Sequence, residues 1–303
     1  MTTWRINLKP GHKSGINARR YCLSKEIVGI GWQVNYKETP LTADYYEKKA
    51  EKAYYDKGNK SWWPAWNAFY NKMKIDDLIW TRDWDGIYYI GRIKGHWYYD
   101  TSDDASNADI VNVRECDWKK IGTIASVPGK LVNCFIPART LQKVNDETVN
   151  LFSKIIYNEK TNSNFYKTTS LNGKDIFSLL SSDDCEDALA LYLQLTKDYF
   201  LIPSSCKADT MAYEYELIHK FTKEKAIVQV KNGKVNINIE DYSNIDRTVF
   251  LFTTKGKYFG KKTNGIHLIS PDEIRNFLYS NIEFLPDKMK IWVKLTNNKS
   301  HNS

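Results

Sequence analysis

Ala226-Ile227-Val228-Gln229-Val230-Lys231-Asn232-Gly233 is the stretch that decides the reading of this chain. Ala226 to Lys231 is apolar enough to predict a strand, yet two polar side chains interrupt it. A strand repeats every two residues, so Gln229 and Lys231 share a face. The preceding run, Ala212 to His219, also reads as a strand, and there Glu214 and Glu216 share a face. Phe221 to Lys225 is a short connection, which predicts antiparallel neighbours. One hairpin would then present acid, amide and ammonium groups to one point.

Such a point suits metal-dependent cleavage of a phosphodiester. Carboxylates hold a divalent ion, the ion activates water and stabilises charge on the phosphate, and a lysine supports the same charge. The bland alternative is a solvated strand face of alternating charges. A Gln-x-Lys triplet alone carries little information, so its surroundings matter.

Outward from the hairpin, Asp183 to Thr196 predicts a helix with apolar Leu189, Leu191, Leu193 and Leu195. Tyr199 to Ile202 is short and apolar, and Pro203 closes it. Thr248 to Thr253 is apolar enough for a central strand. A final helix is expected near Ser270-Pro271-Asp272-Glu273, which combines a capping residue, an early proline and early acids. His219 reads as a strand-end residue.

Residues 183 to 255 thereby resemble the PD-(D/E)XK, restriction-endonuclease-like superfamily, in its Mrr-like branch carrying Gln-x-Lys. Ala226 to Gly233 matches the second catalytic strand and Thr248 to Thr253 the core strand that follows. The resemblance implies an α/β domain with a mixed central sheet and an Mg²⁺- or Mn²⁺-dependent endodeoxyribonuclease. Lys231 would be the catalytic lysine. Gln229 would be a ligand through its amide oxygen or a water. Glu186 on the opening helix would be a supporting ligand, although Asp183 and Glu186 also have capping-box spacing. The family usually places Asp on the first hairpin strand. Here the choice falls on Glu216, with Glu214 next, while Asp209 lies earlier. A lost acid would leave a binding remnant.

The first half reads differently. Ile27-Val28-Gly29-Ile30-Gly31-Trp32 is a short strand with glycines, and Tyr45 to Met73 has helical spacing with Trp62, Trp63 and Trp66. Strand-like runs follow at Asp77 to Thr81, Ile87 to Lys94 and Asp109 to Arg114, with Asp85-Gly86 as a hairpin signal. Short strands, aromatics and glycine turns predict a small barrel in an α+β domain. Gly29 to Trp32, Asp77 to Arg82, Tyr88 to Ile93 and Val113 to Trp118 resemble the PUA-like group, especially EVE-type domains. The resemblance implies nucleic-acid binding, with a flipped modified base held among aromatics. Trp32, Trp80, Arg82 and Asp83 are the candidates; for any single Trp, core packing is the competing role.

The whole chain fits this frame. Its 303 residues suit two domains, and 42% hydrophobic with 26% charged residues exclude a disordered chain. The polar run Asn158 to Asn164 suggests a linker, giving domains at 1–158 and 175–303. All Trp residues except Trp292 precede it. A net charge of +8 favours a polyanionic partner such as DNA, possibly with modified bases. The five cysteines are scattered and never in a Cys-x-x-Cys pair, so neither disulfides nor a cysteine zinc site is expected. No apolar run is long enough to span a bilayer, and no signal peptide is evident, which points to a cytoplasmic protein. Cutting both strands takes two active sites, which points to a homodimer. The expected activity is a DNA endonuclease of a restriction or antiphage type. A non-catalytic reader with a degenerate nuclease fold, or an RNA-directed nuclease, are the alternatives.

Overall fold

The computed structural model describes residues 1–8, 16–37, 40–137, 139–207 and 213–297. It divides into two units, Met1–Thr168 and Thr169–Ser303. Both are α+β and both are built on mixed sheets.

The first unit runs β1 (Thr3–Ile6), α1 (Ala18–Ser24), β2 (Ile27–Ile30), α2 (Ala43–Ala50), α3 (Trp62–Trp66), β3 (Leu78–Arg82), β4 (Tyr88–Ile93), β5 (Tyr98–Tyr99), α4 (Asp103–Ala108), β6 (Asn112–Gly122), α5 (Gly129–Asn133), β7 (Leu141–Lys143) and α6 (Glu147–Thr161). Its strands order as β2-β6-β4-β3-β1-β7, with β5 also on β6. Among its described residues, only β1 and β3 pair in parallel. The long β6 carries the curvature: its first residues lie between β2 and β5, and the remainder pairs with β4. The result is a curled half-barrel sheet rather than a closed barrel among the described residues, with β2 and β7 at its ends.

Local chemistry explains most of these elements. The β3–β4 hairpin turns at Asp85-Gly86, where Gly86 takes the left-handed backbone (φ 74°) that glycine adopts without steric cost. The continuous helix expected over Tyr45 to Met73 is broken instead. α2 widens into a π-helical turn at Glu51–Tyr55, the chain turns through Gly58, and α3 widens again over Asn67–Lys72. Trp62 and Trp66 are buried there, and Trp63 stays exposed. Asn158 to Thr161, read from composition as a linker, is the last turn of α6. Asp146 caps that helix by accepting from the Val149 amide, and left-handed Asn162 ends it.

The second unit runs α7 (Ser182–Thr196), β8 (Tyr199–Leu201), β9 (Tyr215–His219), β10 (Lys225–Lys231), β11 (Ile237–Asn238), β12 (Thr248–Thr253), β13 (Tyr258–Phe259), β14 (Ile266–Ile269), α8 (Pro271–Ser280) and α9 (Asp287–Thr296). The main sheet orders as β14-β12-β10-β9-β8, and β11 pairs with β13 separately. β9 runs antiparallel to both of its neighbours, β8 and β10, whereas β10, β12 and β14 run parallel. β12 is buried along nearly its whole length, as its Val-Phe-Leu-Phe core demands. The expected helix at Ser270 is α8, closed by a Ser270–Glu273 capping box with Pro271 in its first turn. It is not the last one: α9 follows, burying Met289, Trp292 and Val293. Its frequent lysines hide the stripe. Lys288 is itself buried and pairs with Asp184 at 2.7 Å.

Candidate active site

β10 lies at the middle of the five-stranded sheet, and its register with both neighbours fixes what Gln229 and Lys231 can reach. Beside β9, Ile227 is opposite Glu216 and Val228 is opposite Tyr215. Beside β12, Gln229 is opposite Leu251 and Lys231 opposite Thr253. Glu214 sits just before β9, and its amide donates to the Val228 carbonyl at 2.8 Å. That backbone bond carries the Glu214 side chain to the Gln229 end of the hairpin.

Gln229 is almost wholly buried (1% exposed), so its amide must find partners inside. Its Nε2 donates to Glu214 Oε1 and to the Val230 carbonyl. Its Oε1 accepts from the Tyr242 hydroxyl at 3.4 Å. Lys231 Nζ stands 3.9 Å from Glu214 Oε1, half-exposed. Glu214 therefore holds both members of the triplet. Glu216 sits one step along the same face but is occupied elsewhere. Arg247 Nη1 lies 3.1 Å from its Oε1, and the Tyr213 hydroxyl donates to that oxygen at 3.0 Å. The acid beside Gln229 and Lys231 is thus Glu214, not the first-choice Glu216. Asp209 lies outside the described residues.

Glu186 enters from α7. The spacing that offered Asp183 and Glu186 as a capping box is not used. Ser181 and Asp184 make the box, with the Ser181 amide 2.9 Å from Asp184 Oδ2 and the Asp184 amide 3.1 Å from Ser181 Oγ. Glu186 has no capping duty. Its backbone carbonyl accepts from the buried Tyr215 hydroxyl at 3.1 Å, which fastens α7 to the residue beside Glu214. Burial, followed by the negative charges of Glu214, Asp183 and Asp187, pushes the Glu186 carboxyl up to about 7, and Lys231 only partly offsets this.

The donor set can be tested against a divalent ion. Among the described residues no three His, Cys, Asp or Glu side chains converge on one point. Two carboxylates and an amide oxygen still suit a hard cation that keeps several waters. A carboxylic acid pushed upward by a neighbouring carboxylate is the local charge problem that a cation relieves. Gln229 meets this need only after its amide turns over, because its nitrogen faces Glu214.

The comparisons address the other half of the chain. Residues 4–143 match a family model described as a Domain of unknown function (DUF8426). No curated protein and no solved structure matches the chain. Among the described residues, no helix is long and apolar enough to cross a membrane.

Within that matched region the four nucleic-acid candidates do not gather into one pocket. Trp80 is fully buried, donates to Ser153 Oγ at 2.8 Å and stacks on Phe152. It fills the core and offers no face to a base. Arg82 lies over the Phe135 ring at 5.4 Å. Asp83 accepts from the Ile87 amide at 2.8 Å and from the Tyr89 hydroxyl at 3.2 Å, which shapes the hairpin. Trp32 is half-buried and packs against two aromatic-rich clusters. It adopts a left-handed backbone (φ 64°), and its carbonyl accepts from the Tyr46 hydroxyl at 3.0 Å. Gly31 before it stays out of that region, and a Cβ there would lie 2.5 Å from Asp109 Oδ1.

Tyr242 and Arg247 complete the contacts of Gln229 and Glu216 without any signal in the sequence. Each lies far along the chain from its partner, and no local spacing marks it. Of the five cysteines, all free, Cys22, Cys116 and Cys185 are buried, whereas Cys206 is exposed.

Proposed function

We propose that the second unit is a metal-dependent endonuclease acting on DNA, of the restriction-endonuclease-like kind, and that the first, PUA-like unit senses the nucleic acid. The observation that carries this reading is the meeting of Glu214, Gln229 and Lys231 at one end of the central hairpin, with Glu186 facing them electrostatically. A divalent ion, when bound, would supply water activation and charge stabilisation at the phosphate. Glu214 and Glu186 would hold it, and Gln229 would orient the Glu214 carboxylate from its buried side. Tyr242 keeps the Gln229 amide in place. Lys231 supplies a positive charge that water can reach, suited to a phosphate oxygen as charge develops there.

The test is cleavage of duplex DNA, with and without modified bases, in Mg²⁺ or Mn²⁺. Cutting that stops in EDTA and favours modified duplex is the expected result. A second reading is a non-catalytic reader. It is favoured by the saturation of Glu214, which already has the Gln229 amide and the Lys231 ammonium as partners. Tight duplex binding with no cutting in either metal would select it. Preferential cutting of RNA would redirect the substrate.

A further inference from the structure

The hairpin tip of the first unit carries a cleft that shares Asp83 with the modified-base candidates but is built on other residues, and the inference drawn from it rests on the reading of this unit as a nucleic-acid sensor. Arg19 on α1 is buried (5% exposed), yet its Nε and Nη1 have no hydrogen-bond partner. A buried guanidinium without acceptors is costly unless something supplies them. Arg19 lines a cleft of about 570 Å³ together with Arg20, Asp83, Trp84, Asp85 and Tyr89. That volume lies within the range of small-ligand sites. Burial, and then the nearby Arg82 charge, lowers the proton affinity of Arg19, while Asp83 partly compensates.

Trp84 supplies the second half. It is 70% exposed, an unusual place for an indole, and the Arg19 guanidinium lies 4.1 Å from its ring centroid. One face of the ring is taken by the cation and the rest remains open to a planar partner. Charge orients such a partner. Asp83 and Asp85 occupy the hairpin side, and Arg19 with exposed Arg20 occupies the helix side.

We propose that this cleft binds one unpaired nucleotide of a single-stranded nucleic acid, its base stacked on Trp84 and its phosphate taken by Arg19 and Arg20. The base needs no particular identity, since every base presents a π-face. Arg19 and exposed Arg20 together offer the phosphate two guanidinium charges at the cleft, and Arg fits phosphate geometry well.

Fluorescence anisotropy with a labelled single-stranded oligodeoxythymidylate of about ten nucleotides, in EDTA, tests the site. Wild type is expected to bind. Trp84→Ala should weaken binding about tenfold or more, and Trp84→Phe should retain most of it. Arg19→Gln and Arg20→Glu should each weaken it as well. Trp84 is exposed, so its variants report on the site without disturbing the core. The proposal is overturned if wild type does not bind, if Trp84→Ala and Arg19→Gln leave affinity unchanged, or if polyglutamate competes as well as unlabelled oligonucleotide. Because EDTA removes divalent ions, the outcome is independent of whether the second unit cuts.

Discussion

The two sheets treat their conspicuous polar and aromatic residues in opposite ways. In the first unit, Trp80, Arg82 and Asp83 sit side by side on a strand and its turn, and each is taken up by its own neighbours: Ser153, the Phe135 ring, and the Ile87 amide. In the second unit, Gln229 and Lys231 lie on β10 and Glu214 just before the neighbouring β9, and both β10 side chains reach Glu214. Closeness in sequence does not by itself gather side chains, because each of these three takes the partner its own surroundings offer. Register across strands is what gathers them.

The sharpest way to break this contrast is Trp80→Ala. If Trp80 is core, removing it should cost about 3–5 kcal/mol of stability, measured by urea unfolding. A variant that unfolds like wild type but loses nucleic-acid affinity would return Trp80 to the binding surface. Next in size is Lys231→Ala. Cleavage should fall about 10²- to 10³-fold. Stability should stay within about 0.5 kcal/mol of wild type, because the lysine is half-exposed. Undiminished cleavage would remove Lys231 from catalysis.

Which acid stands beside Gln229 and Lys231 was not legible in the sequence, for a reason visible in Glu216. Period-two spacing puts Glu214 and Glu216 on one face but does not rank them. The ranking depends on Arg247, which lies on the approach to β12 and claims Glu216. Strand positions were legible where apolar runs were unbroken, as in Thr248–Thr253, and helix α8 was legible from its capping residues. Helix α9 was not, because Lys288 looks solvent-bound in sequence and is in fact buried against Asp184. Glu186 was legible as an acid on the right helix, but only the Ser181–Asp184 box separates it from capping. The sheet's curl came from one long bent strand, β6, and nothing in its composition announces two sets of partners.

A paired comparison sharpens the acid assignment. Glu214→Gln should lower cleavage by at least about tenfold more than Glu216→Gln, read from initial rates under identical conditions. The reverse order would shift the centre of the site toward Arg247.

The smallest effect concerns acid. In the first unit, burial raises Asp117 and Asp146, but stronger opposing contacts hold both below the usual carboxylate value. For Asp117 these are Lys119 and Tyr157 hydrogen bonds together with the charges of Lys119 and Arg92. For Asp146 they are Lys130 and the helix amides of α6. A carboxyl depressed on folding adds stability above its unfolded value of 3.8, and that stability is lost as pH falls through the lower folded value. The first unit should therefore keep its melting temperature down to about pH 4 and lose it progressively below, and Asp146→Asn should flatten that decline. A decline that begins near neutrality would contradict both assignments.

Trp32 shows how two neighbouring residues can share one constraint. Its left-handed backbone costs about 1–2 kcal/mol that a glycine would avoid. Gly31 stands next to it and does not take the turn, because its small size is needed against Asp109. The two neighbours divide the work of closeness and direction between them. The reversal of handedness at Trp32 steers an indole toward two clusters at once. Trp32→Gly would make the turn easy and leave it pointing at nothing.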